Sequence, residues 1–315
     1  MNKNHHGKVV AFSGGVGGAK LALGLARVLG ADDLTVIVNT GDDFRYLGLA
    51  ISPDIDTLIY TLSGLSNQEL GWGRRDETWT FMSALAQLGG ETWFQLGDGD
   101  LALHVERTRR LAAGESLSSI TDSLRRRLDI STRIIPMSDD PVHTQLRSET
   151  GWLNFQDYFV RLRCEPVVQQ ISFAGAQDAQ PAEGILAALG SPDLRAVVIC
   201  PSNPMLSVEP ILAVPGIREA IVACGAPVIA VSPIIGGIAV KGPTAKLMRE
   251  LNMEPSATAA AWRYAGLVDV FVVDMADAGA AMPEGMMAVA APIFMQSLED
   301  REQLAQTVLD IADRI

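Results

Sequence analysis

The chain has 315 residues, of which 48% are hydrophobic and 20% charged, a balance that fills a large core and excludes a disordered chain. Its formal net charge of -12 excludes a protein that coats nucleic acid, because neutralising phosphates takes a surplus of Lys and Arg. A small anion is still within its reach, since backbone N–H groups or a metal ion can hold phosphate locally.

The opening Met1 to Gly7 is polar and lacks the basic-then-apolar pattern of a secretory signal, so a cytoplasmic chain is expected. Val9 to Phe12 then reads as a buried strand, and a helix is expected from Ala19 to Leu29. Between them lies Ser13-Gly14-Gly15-Val16-Gly17-Gly18. Glycines let the backbone pass close to a bulky anion and turn N–H groups inward, and the helix start adds a partial positive charge. The loop is not a dinucleotide fingerprint, because Lys20 stands where the third glycine belongs. Nor is it a P-loop, because Ala19 separates Gly18 from Lys20 and Leu21 replaces the Ser/Thr. A tight strand–helix turn is the alternative; its place after the first strand favours phosphate binding by Gly14, Gly15, Gly17 and Gly18.

Leu34 to Val38 is a second buried strand, followed by Asn39-Thr40-Gly41-Asp42-Asp43 and then Ser52-Pro53-Asp54-Ile55-Asp56-Thr57. Both segments fall where the carboxyl ends of parallel strands open into a crevice. Asp42, Asp43, Asp54 and Asp56 would repel a diphosphate unless a hard cation sat among them. Mg²⁺ takes one or two carboxylates plus phosphate oxygens and water. A solvated turn is the alternative for Asp42 and Asp43, and helix capping the alternative for Ser52 and Asp54, with Pro53 in the first turn.

The middle of the chain differs. Helical patterns run from Thr78 to Leu88, Asp100 to Ala112 and Leu117 to Leu128. Around them lie Gly71-Trp72-Gly73, Trp79 and Gln95-Leu96-Gly97-Asp98-Gly99-Asp100. The simplest reading is structural, with Asp76 and Asp100 as N-caps and the tryptophans in the core. Arg133 to Pro136, His143 to Arg147 and Trp152 to Asn154 read as short strands. Further on, Arg195 to Cys200, Pro227 to Val231 and Val268 to Val273 read as central strands. Helices are expected at Ile217 to Ala223, Thr244 to Leu251, Ala257 to Ala265 and Leu298 to Ile311. Polar loops follow these strands, among them Ser138-Asp139-Asp140-Pro141, Pro201-Ser202-Asn203-Pro204, Ser232-Pro233 and Lys241-Gly242-Pro243. His104 and His143 read as structural. Cys164, Cys200 and Cys224 are odd in number and apolar-flanked, and read as reduced core thiols. Gly, Pro or a charge interrupts every apolar run before it reaches membrane-spanning length.

Strand–loop–helix repetition predicts an α/β fold: a doubly wound, Rossmann-like, mostly parallel sheet covered on both faces. The core is expected over residues 1–70 and 133–315, with a mainly helical insertion over 71–132.

These motifs, in this order, resemble the 2-phospho-L-lactate transferase family of deazaflavin coenzyme F420 biosynthesis. The matching stretches are Ser13 to Gly18, Val38 to Asp43, Ile51 to Thr57, Gly71 to Gly73, Leu96 to Asp98, Pro136 to Val142, Pro201 to Pro204 and Val231 to Gly236. The resemblance implies a Mg²⁺-dependent transferase that moves a phospho-acid (lactyl, enolpyruvyl or glyceryl) from its GDP-linked donor to the 5-deazaflavin FO and releases GMP. It implies that Gly14, Gly15, Gly17, Gly18, Ser202, Asn203, Ser232 and Lys241 hold the nucleotide and that Asp43 and Asp54 hold the metal. Asp42, Asp43 and Asp56 would carry catalysis, and Asp56, Trp72, Gln95 and Asp98 would contact FO. Many family members carry Arg where this chain has Gly99. The expected partners are these small molecules and a second copy in a homodimer, with no nucleic acid and no membrane. Two rival classes are a nucleotide-sugar-binding regulator of similar fold and an NAD-dependent oxidoreductase; Asn39 ending the second strand disfavours the latter.

Overall fold

A computed structural model of the chain describes residues 7–239 and 242–315. It begins with β1 (Lys8–Ser13), α1 (Gly15–Val28) and β2 (Leu34–Val38). A hairpin of β3 (Phe44–Tyr46) and β4 (Leu49–Ile51) leads into α2 (Pro53–Leu62). Next come α3 (Thr80–Gln87), α4 (Asp98–Ala112), α5 (Leu117–Arg127) and β5 (Arg133–Pro136). β6 (His143–Ser148), β7 (Gly151–Asn154) and β8 (Gln170–Ala174) form a small antiparallel sheet in the order β7-β6-β8. The chain continues through α6 (Ile185–Leu189), β9 (Leu194–Ile199), α7 (Glu209–Leu212), α8 (Ile217–Ala223) and β10 (Val228–Val231). A two-residue ladder of β11 (Ile234–Ile235) with β12 (Ile238–Ala239) precedes α9 (Thr244–Glu250) and α10 (Ala257–Trp262). The last elements are β13 (Val270–Val273), β14 (Met287–Ala290) and α11 (Leu298–Ala312).

Seven strands make one sheet in the order β14-β13-β10-β9-β1-β2-β5, and every pairing in it is parallel. Val9 and Ala11 of β1 pack into one hydrophobic layer while Val10 and Phe12 pack into the other. Burial on both faces is why these strands read as unbroken apolar runs rather than alternating ones. α1, α2 and α11 cover one face; α6, α8 and α10 cover the other. Gly24 allows α1 to lie directly on α11, because a Cβ there would run into the carbonyl oxygen of Arg301. The fold is therefore the doubly wound α/β sheet. From β1 the order runs to β2 and β5 on one side and to β9, β10, β13 and β14 on the other. The seam between β1 and β9 is the switch point, where ligands lodge outside the carboxyl ends of the strands.

Several elements differ from the sequence reading. α1 starts at Gly15, so the glycine run forms its first turn instead of a loop before it. β6 and β7, expected as short strands, pair with each other in a separate antiparallel sheet. β8, β14 and the β3–β4 hairpin carried no readable pattern: β14 is Met287-Ala-Val-Ala at a sheet edge, with three of its four residues exposed. Cys200 closes β9 in the core, and burial pushes its thiol up to about 12; all three cysteines are free. No helix among the described residues is long and apolar enough to cross a membrane.

Candidate active site

A cleft of about 420 Å³ opens at the β1/β9 seam. Gly14, Gly15 and Gly17 line it from the start of α1, and Ser202, Asn203 and Ser232 line it from the loops after β9 and β10. The glycines are demanded first by packing. A Cβ on Gly17 would strike the Pro201 carbonyl oxygen, and one on Gly18 would strike the Ser202 hydroxyl. Gly18 is accordingly buried under Ser202 and does not line the cleft. The Gly14 N–H donates to Ser202 Oγ (3.1 Å) and the Gly15 N–H to Asp54 Oδ1 (2.6 Å). The N–H groups of Val16 and Gly17, in the first turn, have no carbonyl one turn back; these are what the helix start offers an anion. Asn203 caps a π-turn over Pro204–Val208, accepting from the N–H groups of Met205 and Leu206. Such turns often shape functional sites. Lys241 lies outside the described residues.

The acidic residues gather around Asn39, the first residue after β2. Its Nδ2 donates to Asp54 Oδ2 (2.9 Å) and, more weakly, to Asp42 Oδ1 (3.4 Å), while its Oδ1 accepts from the Gly41 N–H (2.8 Å). Asp43 Oδ2 accepts from the Ser52 hydroxyl (2.6 Å), and Asp43 Oδ1 is buried with no partner. The capping reading of these residues therefore needs correcting. The Ser52 side chain turns to Asp43 instead of capping α2, and Asp54 caps the start of α1 rather than its own helix. Burial raises all three carboxyls. Asp54 rises to about 6, with the Asn39 and Gly15 hydrogen bonds opposing the shift. Asp42 is pushed well above the usual range by burial and then by the charges of Asp54 and Asp43. Asp43 is pushed up by burial, against the Ser52 hydrogen bond and the Arg107 charge.

Asp56 lies apart from the cleft wall. Both its oxygens meet the guanidinium of Arg107, from α4, which is fully buried. His104, one turn earlier on α4, sits 3.3 Å by its Nδ1 from Arg107 Nη1 and 3.1 Å by its Nε2 from Asp100 Oδ2. Arginine only donates, so Nδ1 is the acceptor in that pair, whereas Nε2, though close to Asp100, is buried without a hydrogen bond. Asp100 also accepts from the Tyr60 hydroxyl. Neither the N-cap reading of Asp100 nor that of Asp76 holds. Asp98 accepts from the Thr80 and Phe81 N–H groups and caps α3, while Glu77 accepts from the Gly99 and Asp100 N–H groups and caps α4. Each helix start is thus closed by the segment leading into the other. Asp98 is occupied in that role, and Gln95 is exposed, its amide on the Thr92 carbonyl; neither lines the cleft. Gly99 lies against the Arg74 guanidinium, which fills the room a side chain there would take. Trp72 does line the cleft and is 50% exposed; with Trp79 also at the surface, these two tryptophans are not core residues.

Other wall residues escaped the sequence reading. Phe155 and Phe159 stack at 5.3 Å and 14°, and both line the cleft, as does Phe94. Their spacing of four after a strand was the available signal. Asp42, Phe155 and Gln156 also line a second, more polar cleft of about 660 Å³, with Asp43, Arg45, His143 and Arg161. Asp42 thus stands between the two.

The model of the 2-phospho-L-lactate transferase CofD family matches residues 9–309, nearly the whole chain. The chain belongs to this family. CofD membership makes it a transferase. A phosphoenolpyruvate transferase of Streptomyces griseus is 43% identical over 317 residues, covering 98% of this chain and 99% of that one. A 2-phospho-L-lactate transferase of Methanosarcina barkeri is 36% identical over 310 residues, covering 98% and 99%. A crystal structure of a UPF0052-family protein from Bacillus halodurans superposes with a TM-score of 0.62, covering 96% of this chain and 100% of that one. At 17% identity that likeness is one of fold.

Proposed function

We propose that the chain transfers a phospho-acid from its GDP-linked donor to the 5-deazaflavin FO, releasing GMP and forming the coenzyme F420 precursor. One observation carries the reading: buried carboxylates (Asp42, Asp54) and aromatic rings (Trp72, Phe94, Phe155, Phe159) line one cleft at the switch point, with Asp43 just beyond Asp42. The carboxylates suit a cation-bridged diphosphate, and the rings suit a flat fused-ring acceptor. The N–H groups of Val16 and Gly17, with Ser202, Asn203 and Ser232, are read as the nucleotide's contacts. The acid is read as enolpyruvate, since the relatives of 43% and 42% identity are phosphoenolpyruvate transferases.

The donor set fits Mg²⁺. Asp43 Oδ1 is buried and unpartnered, an acceptor that a cation could take. Asp43 would be the main ligand and Asp54 a second, with phosphate oxygens and water completing the shell. When bound, the ion would neutralise charge growing on the departing phosphate. The terminal hydroxyl oxygen of FO bonds to the phosphorus that bears the acid. The bond from that phosphorus to the bridging oxygen breaks, and GMP leaves with the electron pair. The hydroxyl proton goes to a carboxylate, for which Asp42, its pKa held up by burial, is suited. Asp56 acts from behind, fixing α4 through Arg107.

The test is mass spectrometry of products from FO and each of the lactyl, enolpyruvyl and glyceryl donors. Product is expected from the enolpyruvyl donor, lost in EDTA and restored by Mg²⁺. No product from any donor, with no fluorescence change when FO is titrated in, would remove the reading.

A further inference from the structure

Next to the main cleft, sharing Val16, Lys20, Thr57, Gly71 and Trp72 with it as lining, lies a side chamber of about 130 Å³, about a third of the main cleft's volume. Lys20, Asn67, Gln68, Trp72 and Arg301 are among its walls. Among the described residues its two charged lining residues, Lys20 and Arg301, are both cations and no carboxylate lines it, in a chain of net charge -12. Arg301, in the first turns of α11, is only 6% exposed. Other buried or half-buried arginines are matched by acids: Arg107 by Asp56, Arg110 by Glu115, Arg195 by Asp313. Arg301 has no ion-pair partner among the described residues. Its Nη2 donates to a neutral acceptor, Gln68 Oε1, at 3.3 Å, and its Nε is buried with no partner. Gln68 is itself oriented by donating to Ser66 Oγ (2.6 Å). The neighbouring Asp300 is spent on the Gln296 and Ser297 N–H groups at the start of α11. Burial holds the Arg301 guanidinium below its ordinary pKa, against the charge of the neighbouring Asp300.

A buried charge without a counter-ion is costly, and a guanidinium presents its donors in a planar fork that matches carboxylate and phosphate. We propose that this side chamber is an oxyanion subsite, in which Arg301, oriented by Gln68, receives a carboxylate or phosphate group reaching in from the main cleft. Lys20, whose Nζ donates to the Met295 carbonyl (2.7 Å), adds a second positive charge to the same wall. The chamber takes one end group, because it is too small for a nucleoside. The inference rests on this geometry alone and needs neither FO nor turnover, so a failed transfer assay would leave it standing.

The test is thermal melting of the whole protein in chloride buffer with three probes: inorganic phosphate, phosphoenolpyruvate and GDP. Saturable stabilisation by at least one probe is expected. Arg301→Met should raise that probe's apparent Kd by about tenfold or more, the scale of a lost charge-assisted contact. Without anion, the same variant should melt no lower than the native protein, because it sheds an uncompensated charge. A response to phosphate alone identifies a phosphate group as the occupant, a response only to phosphoenolpyruvate a carboxylate, and a loss confined to GDP the diphosphate of a nucleotide. Should Arg301→Met fail to fold, Gln68→Leu must weaken the same response by a measurable factor. No saturable response to any probe, or an unchanged response in the variant that folds, overturns the proposal.

Discussion

Asp43 holds one carboxylate oxygen on Ser52 and leaves the other buried and unpartnered. Asp43→Asn keeps the shape and removes the charge. Turnover should fall by more than about tenfold, since losing even an outer partner of a metal ligand costs about that much. FO should still bind, because the aromatic wall is untouched. Normal turnover at limiting Mg²⁺ would reduce Asp43 to a turn residue. Asp54 gives a pH signature. Its carboxyl is raised from 3.8 to about 6, so between those values the native state binds more protons than the unfolded one. Its contribution to stability is complete below the unfolded value and is lost as pH rises through about 6. A cation needs the deprotonated form. The gain in melting temperature from Mg²⁺ should therefore be full well above pH 6 and fade below it; an equal gain on both sides would sink the assignment. Asp42, Asp43 and Asp54 were legible because they directly follow a strand or open a helix. Arg107 was not: it sits inside a helix, where a charge usually faces solvent, and its partner lies 51 residues away. Arg301 was hidden for the same reason.

α4 is tied to α2 by that pairing and to α3 by the exchange of caps between Glu77 and Asp98. Removing one member of a buried pair strands the other. Arg107→Met should cost about 3–5 kcal/mol by chemical denaturation, and adding Asp56→Asn should return part of the loss. A single-variant cost below about 1 kcal/mol would place the pair in water. The central strands could be read from sequence because burial on both faces writes an unbroken apolar run. β14 could not, because an edge strand with exposed residues writes no such run. The exchanged caps were half visible. The acids stood at the helix starts, but each closes the opposite helix, which depends on how the loop between α3 and α4 folds back.

At the scale of the molecule, the surplus of acid surrounds a site proposed for an anionic donor. The long-range field opposes approach, and salt screens it over about 10 Å at 0.1 M. The association rate of GDP, followed by stopped flow, should therefore rise with added NaCl, where most phosphate-binding proteins slow down. A fall would mean that the cations of the side chamber dominate the approach. The doubly wound class was legible from strand–helix alternation, whereas the strand order was not, because nothing local in β1 states that its second neighbour is β9. That neighbour has a consequence for synthesis. Val9 pairs with Ala196 and Phe12 with Ile199, so an interior strand of the sheet, β1, is made early and its partner late. At ~5–20 residues per second, roughly 10–40 s pass on the ribosome before β9 follows β1 out. Throughout that interval one edge of this buried strand has no native mate, so the nascent chain is an expected client for a holding chaperone until its second half arrives.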